Sequence, residues 1–171
     1  MRRDQEIALL SEALELARGK RSYMTEAQEA LIPVAKYVDH QRFERERNYF
    51  RASMNLVAHG SQIKSPGDFI TRELLGTPVI LVRDHDGVTK AFVNVCRHRG
   101  ATVELRAHGN CRRFVCPYHA WTYETDGSLA KVRHQEGFPT LDVSETSLVE
   151  LPCEELAGLV FVCPDPAAAP W

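Results

Sequence analysis

Between Asp4 and Gly19 the apolar residues Ile7, Leu10, Leu14 and Ala17 recur at helical spacing, predicting a short amphipathic helix that Gly19 ends and Arg18 favours at its carboxyl end. Thr25 with Gln28 reads as a capping box for a second brief helix that Pro33 should stop. Asp39 can cap a third helix through His40 to Phe50, where Phe43, Arg47 and Phe50 mix apolar and charged faces. The apolar faces are narrow and the charged ones wide, which suits helices that pack on a neighbouring domain or subunit. From about residue 52 the pattern changes to short apolar runs separated by turn residues, starting with ASMNLVAHGS and the loop Ser65 to Asp68. PVILVRDHDGVTKAFVNV predicts a hairpin about Asp86-Gly87, with Gly87 at positive φ, and a second such turn follows WTYET at Asp126-Gly127. Arg113 to Val115 and Gly158 to Val162 are further strand candidates. The expectation is a mainly β domain, an antiparallel barrel or sandwich over about 52–164 preceded by short α-helices. The closing PDPAAAPW, ending in Trp171, reads as a linker.

Composition narrows the class. A chain of 171 residues, 44% hydrophobic and 26% charged, suits one soluble globular domain with its own core. Its 21 Lys and Arg nearly balance 23 Asp and Glu, so nothing argues for a nucleic-acid partner. No apolar run is long enough for a membrane span, and the start MRRDQEIALL turns acidic too early for a secretion signal, so a cytoplasmic location is expected. Five cysteines (Cys96, Cys111, Cys116, Cys153 and Cys163), odd in number and unevenly spaced, fit a reducing compartment with metal ligands among them better than a disulfide framework.

The chemistry concentrates in Cys96-x-His98 and Cys116-x-x-His119, with seventeen residues between His98 and Cys116. Each pair can occupy one tight loop, and two such loops can face each other across a metal centre. Two thiolates and two imidazoles suit either one tetrahedral zinc or a two-iron cluster with Cys on one iron and His on the other. Zinc sites of this composition usually group Cys with Cys and His with His, whereas here each loop carries one of each, the order a [2Fe-2S] cluster of the Rieske type accommodates. Around the ligands, Arg97 and Arg99 flank His98 as charged neighbours or docking contacts for an acidic electron donor, or as solvated loop residues. Gly100 and Pro117 shape the loops, and Tyr118 and Trp121 shield the centre or simply pack. Cys111 reads as a structural or surface residue, Cys153 and Cys163 as small hydrophobes filling strand positions, and His40, His59, His85, His108 and His134 as surface or packing residues.

CRHRG at Cys96 to Gly100 and CPYHAW at Cys116 to Trp121 together resemble the N-terminal Rieske [2Fe-2S] domain of the large (alpha) subunit of aromatic-ring-hydroxylating oxygenases. The likeness runs over roughly residues 40 to 163, through PGD, PVILVRDHDG, YETDGSL and GLVFV. It implies a helical lead-in over 1–39, the Rieske domain over 40–164 and the start of a linker over 165–171. It implies that Cys96 and Cys116 bind one iron and His98 and His119 the other, the one that changes oxidation state. Ala101 and Tyr118 stand where high-potential Rieske proteins carry an extra bracing cysteine pair, implying the lower-potential oxygenase class. Met54 and Asn55 stand where many members have Trp. The resemblance further implies an electron donor, a ferredoxin or flavin reductase, and an acceptor, the mononuclear Fe(II) in a catalytic domain of the same or a neighbouring subunit. That iron needs ligands this chain lacks, since only His134 follows His119. The parent enzyme is then a dioxygenase of aromatic hydrocarbon catabolism, with a trimer as the family's assembly. A stand-alone Rieske-type ferredoxin and a structural zinc-binding module are the alternatives; iron and sulfide content separates the last from the others.

Overall fold

The computed structural model describes residues 2–19 and 31–168, so the capping box at Thr25 and Gln28 and the terminal Trp171 lie outside the described residues. The chain divides into two compact units, Met1–Asp39 and His40–Trp171. The first carries α1 (Arg3–Arg18) and a single turn, α2 (Ala35–Val38). Gly19 closes α1, its amide donating to the Glu15 carbonyl (2.9 Å), and Ile7, Leu10 and Leu14 are exposed on its surface. Pro33 comes just before a helical turn, α2, which the sequence pattern did not predict: proline lacks only a donor that a first turn leaves unused.

The second unit opens with α3 (His40–Arg51), beginning straight after Asp39 as expected and laced by Arg42–Glu46 (2.6 Å) and Glu44–Arg47 (2.8 Å) pairs. Asn55 then donates to the carbonyls of Phe50 (2.8 Å) and Ser53 (2.7 Å), tying the end of α3 to the strand that follows. Eleven antiparallel strands among the described residues form three sheets. β1 (Asn55–His59), β11 (Leu159–Val162) and β10 (Cys153–Leu156) make the first, in the order β1-β11-β10. The middle sheet runs β5 (His108–Asn110), β2 (Asp68–Leu74), β3 (Thr77–Arg83), β4 (Thr89–Val93), β9 (Glu150–Leu151). β6 (Arg113–Val115), β7 (Thr122–Glu124) and β8 (Leu129–Lys131) make the third. The antiparallel expectation holds in open sheets; no closed barrel forms among the described residues. Both Asp-Gly turns are present, with Gly87 (φ 80°) and Gly127 (φ 88°) at positive φ.

The uninterrupted apolar run of β3 is explained by burial on both faces of the middle sheet. On one face the row Ile70, Leu81, Ala91 and Leu151 packs with Val79 against Ala58, Val160 and Val162 of the first sheet. On the other, Phe69, Ile80, Val82 and Phe92 pack against Phe114, Tyr123 and Leu129 of the third. This second core also holds Cys96, Cys116 and Trp121. Among the described residues no helix is long and apolar enough to cross a membrane.

Candidate metal centre

Two loops built on one backbone plan rise from this second core. In the first, Cys96 to Ala101, the Cys96 amide donates to the Ala101 carbonyl (2.7 Å) and the Gly100 amide donates back to the Cys96 carbonyl (2.9 Å). In the second, Cys116 to Trp121, the Cys116 amide donates to the Trp121 carbonyl (2.8 Å) and the Ala120 amide to the Cys116 carbonyl (3.0 Å). The fifth residue of each loop is left-handed, Gly100 at φ 73° and Ala120 at φ 58°. Glycine takes that conformation freely; for Ala120 it costs about 1–2 kcal/mol.

The plan brings the four predicted residues together as two like pairs. Cys96 and Cys116 are both buried in the same core cluster, and the rings of His98 and His119 lie 4.8 Å apart. All five cysteines are free thiols, so no disulfide braces the loops, in line with Ala101 and Tyr118 at the bracing positions. Burial, then the neighbouring Cys96, pushes the Cys116 thiol above its ordinary value. The His98 imidazole is held below its ordinary value by burial first, then by His119 and Arg99. His119 Nδ1 is buried with no partner among the described residues, an arrangement rare for a buried polar atom outside a ligand site. Two buried thiols, that of Cys116 resisting ionisation, and an unpartnered imidazole nitrogen form a donor set that bound cations would satisfy. Among the described residues no three such donors converge on a single point, and the separation into a sulfur pair and an imidazole pair suits two metal ions better than one.

Of the residues expected around the ligands, Trp121 is buried and stacks on His98 (centroids 4.8 Å apart, planes 9° apart). Tyr118 is exposed with its ring against His119 (3.9 Å), covering that imidazole from solvent rather than from the core. Arg97, Arg99 and Pro117 are exposed. Cys111 is half-buried against the core beside Arg106, and burial drives the Cys153 thiol up to about 12, the behaviour of a packing residue.

Five contributors are illegible in the motifs. Tyr123, fully buried on β7, accepts from the Arg97 amide (3.0 Å), which leaves its hydroxyl hydrogen for Cys96 Sγ at 3.3 Å; burial and that sulfur push its phenol upward. Buried Asn94 accepts from the amides of Val103 (3.1 Å) and Glu104 (2.9 Å) and donates to the Glu104 carbonyl (2.8 Å), locking the exit of the first loop to its entrance. Phe138 meets both His98 (5.5 Å) and Trp121 (5.6 Å) edge-on. Arg133 and His134, the latter at φ 57°, join His98, Arg99, Tyr118, His119, Trp121 and Phe138 around a cleft of ≈ 370 Å³. The Asn94 and Tyr123 positions carried one usable signal, a polar or hydroxylated residue inside an apolar run, which in a core must find partners.

Comparison with known proteins agrees with this geometry. Residues 53–145 match the family model described as the Rieske [2Fe-2S] domain. The carnitine monooxygenase oxygenase subunit of Escherichia coli is 42% identical over 139 residues, 80% of this chain and 37% of that protein. The benzene 1,2-dioxygenase subunit alpha of Pseudomonas putida is 36% identical over 153 residues, 84% of this chain and 34% of that protein. A solved quaternary ammonium Rieske monooxygenase, described with inter-subunit electron transfer, superposes with a TM-score of 0.73 at 41% identity over 80% of this chain and 38% of its own. This chain therefore spans under two fifths of the length of these relatives. Twin loops of one Cys and one His each, set on open antiparallel sheets and matched by the family model over more than half of the chain, establish that this chain belongs to the Rieske [2Fe-2S] domain family.

Proposed function

We propose that this chain is the electron-transfer domain of a Rieske oxygenase alpha subunit, with Cys96 and Cys116 holding one iron of a [2Fe-2S] cluster and His98 and His119 the other, His119 through Nδ1. The observation that carries the assignment is the twin-loop plan, which brings two buried cysteines and two neighbouring imidazoles together, with the buried His119 Nδ1 lacking any other partner among the described residues. Such a cluster, when bound, supplies one-electron redox chemistry, and replacing two thiolates by neutral imidazoles raises its potential above that of an all-cysteine centre. The protein's own part is to hold the donors rigid and screen them. Tyr123 offers a hydrogen bond to Cys96, Trp121 and Phe138 fix the plane of His98, and the surrounding apolar core keeps water from the sulfurs.

The electron donor in this reading is a ferredoxin or a flavin reductase, and the acceptor is the mononuclear iron of a catalytic domain in the same or a neighbouring subunit. Relatives named for carnitine and for benzene oxygenation carry this same domain, which supports its role as a common electron module upstream of different substrates. Free thiols at all five cysteines support a reducing, cytoplasmic location. Metal and sulfide analysis with reduced-state EPR tests the assignment: two iron and two acid-labile sulfide per chain with a rhombic signal are expected, and a single colourless zinc would refute it. His98→Cys should lower the potential; an unchanged potential in a fully loaded variant contradicts the ligand set.

A further inference from the structure

Between β8 and β9 the chain crosses the core that holds the ligand loops without joining any sheet. Its ends are fixed: Val132 and Leu148 are buried, and the Leu148 amide donates to the Gly127 carbonyl (2.8 Å). Over residues 134–147, every hydrogen bond among the described residues stays within the span; the amide of Gly137 donates to the His134 carbonyl (2.9 Å), that of Leu141 to Phe138 (3.1 Å) and that of Thr146 to Val143 (3.2 Å). What ties the span to the rest of the unit is apolar contact by Phe138, Leu141 and Val143, each only half-buried. It also packs loosely upon itself, around a hollow of ≈ 450 Å³ lined wholly by residues between Gly137 and Thr146. The ligand loops beneath are held more firmly, both by paired amide-to-carbonyl bonds and the first also by Tyr123 and Asn94.

We infer that residues 134–147 form a strap that swings aside to admit the [2Fe-2S] cluster and closes over it afterwards. This rests on the cluster assignment above and adds the route by which the cluster comes and goes. Cys96 and Cys116 are 3% and 2% exposed, so a two-iron unit reaches them only after something moves. Phe138, edge-on to both His98 and Trp121, is the strap's contact with the site, so lifting the strap uncovers one ligand ring and the indole stacked on it. A segment with few buried apolar contacts and no hydrogen bonds outward opens at lower free energy than the sheets it lies on. Its hinges are marked. His134 sits at φ 57°, a left-handed conformation that a non-glycine residue holds only while its surroundings impose it, and Leu148 is pinned to Gly127. On loading from a thiolate-ligated carrier, two Fe–S and two Fe–N bonds form on this chain as the carrier's own ligand bonds break. The thiol protons of Cys96 and Cys116 pass to thiolates that the carrier releases, and no electron moves.

The experiment uses the full chain loaded with its oxidised cluster and follows the loss of visible cluster absorbance in excess EDTA, at urea concentrations below the unfolding midpoint. Global unfolding is followed beside it by far-UV circular dichroism. Loss levels off as EDTA is raised, because opening limits it, and depends on urea about a third as steeply as global unfolding or less, since a strap exposes little surface. Leu141→Ala and Val143→Ala, which trim the strap's hold outside the ligand loops, each speed loss about tenfold. Both quicken amide exchange over 134–147 alone and leave the reduced-state EPR g-values at the parental position. Val160→Ala, in the opposite core, lowers the unfolding midpoint and leaves loss at low urea unchanged. Loss with the urea dependence of global unfolding overturns the strap, as do loaded Leu141→Ala and Val143→Ala chains that lose cluster at the parental rate. So does amide exchange over 134–147 as slow as in β2 and β3. A chain that binds one zinc and gives no reduced [2Fe-2S] signal overturns the cluster assignment instead, while amide exchange over 134–147 still reports on the strap by itself.

Discussion

The two ligand loops share a backbone and differ in almost everything attached to it. Each closes with the same pair of amide-to-carbonyl bonds and the same left-handed fifth residue. Yet the first, Cys96 to Ala101, is charged on its outer side and held from within by Tyr123 and Asn94, while the second, Cys116 to Trp121, presents Pro117 and Tyr118 outward and sends Trp121 across to the first loop's His98. The shared part is what placing one sulfur and one imidazole demands. The unshared part distributes the remaining tasks, with polar anchoring given to one loop and aromatic packing to the other.

The sharpest way to break this division is to remove the residue that crosses it. Trp121→Ala takes a buried indole out of the core and leaves His98 unstacked; a loss of about 3–5 kcal/mol in chemical denaturation is expected, with broadened EPR features for the imidazole-bound iron. Asn94→Ala strips three buried backbone groups of their partner and should cost about 2–4 kcal/mol, with the first loop exchanging its amides faster while the second does not.

A reciprocal exchange at the fifth positions sharpens the comparison. Gly100→Ala forces an alanine into the conformation that Ala120 already tolerates, and since a Cβ there meets open space, only the backbone cost of about 1–2 kcal/mol is expected. Ala120→Gly should fall within about 1 kcal/mol of the parent, relief of strain offsetting the added chain entropy. Equal effects at the two positions would contradict the shared plan. Tyr123→Phe, which removes one hydrogen bond to Cys96 Sγ and leaves the Arg97 amide unpaired, is expected to cost only about 1 kcal/mol of stability. Its clearer signature is a potential lowered on the order of tens of millivolts, read by spectroelectrochemistry.

What could be read along the chain was whatever local physics decides. The Asp-Gly turns announced two hairpins because positive φ is a property of a single residue, and the two ligand pairs were visible because each lies within one loop. The doubly buried β3 read as a strand because four consecutive branched apolar residues, Val79 to Val82, between turns have few other uses. β5 was missed and β10 was read only at Cys153: His108-Gly109-Asn110 contains no good strand former, and Glu154 and Glu155 place charge in an edge strand, so their pairing with β2 and β11 is imposed by the sheets. Ala120 gave no sign of its left-handed backbone, since nothing about alanine asks for it. Arg133, His134 and Phe138 reach the centre only because the chain after β8 folds back over it, a non-local event that motif spacing does not encode.

Alternation along β3 gives the molecule a parity. Ile80 and Val82 face the half that holds the ligand loops, while Val79 and Leu81 face the opposite half, so neighbours joined by a single peptide bond report to different audiences. Even-numbered positions on this strand are handles for tuning the environment of the metal loops, and odd-numbered ones adjust stability out of the loops' hearing. A library that varied the strand without regard to that parity would mix two independent properties, whereas one that respected it could select for each in turn.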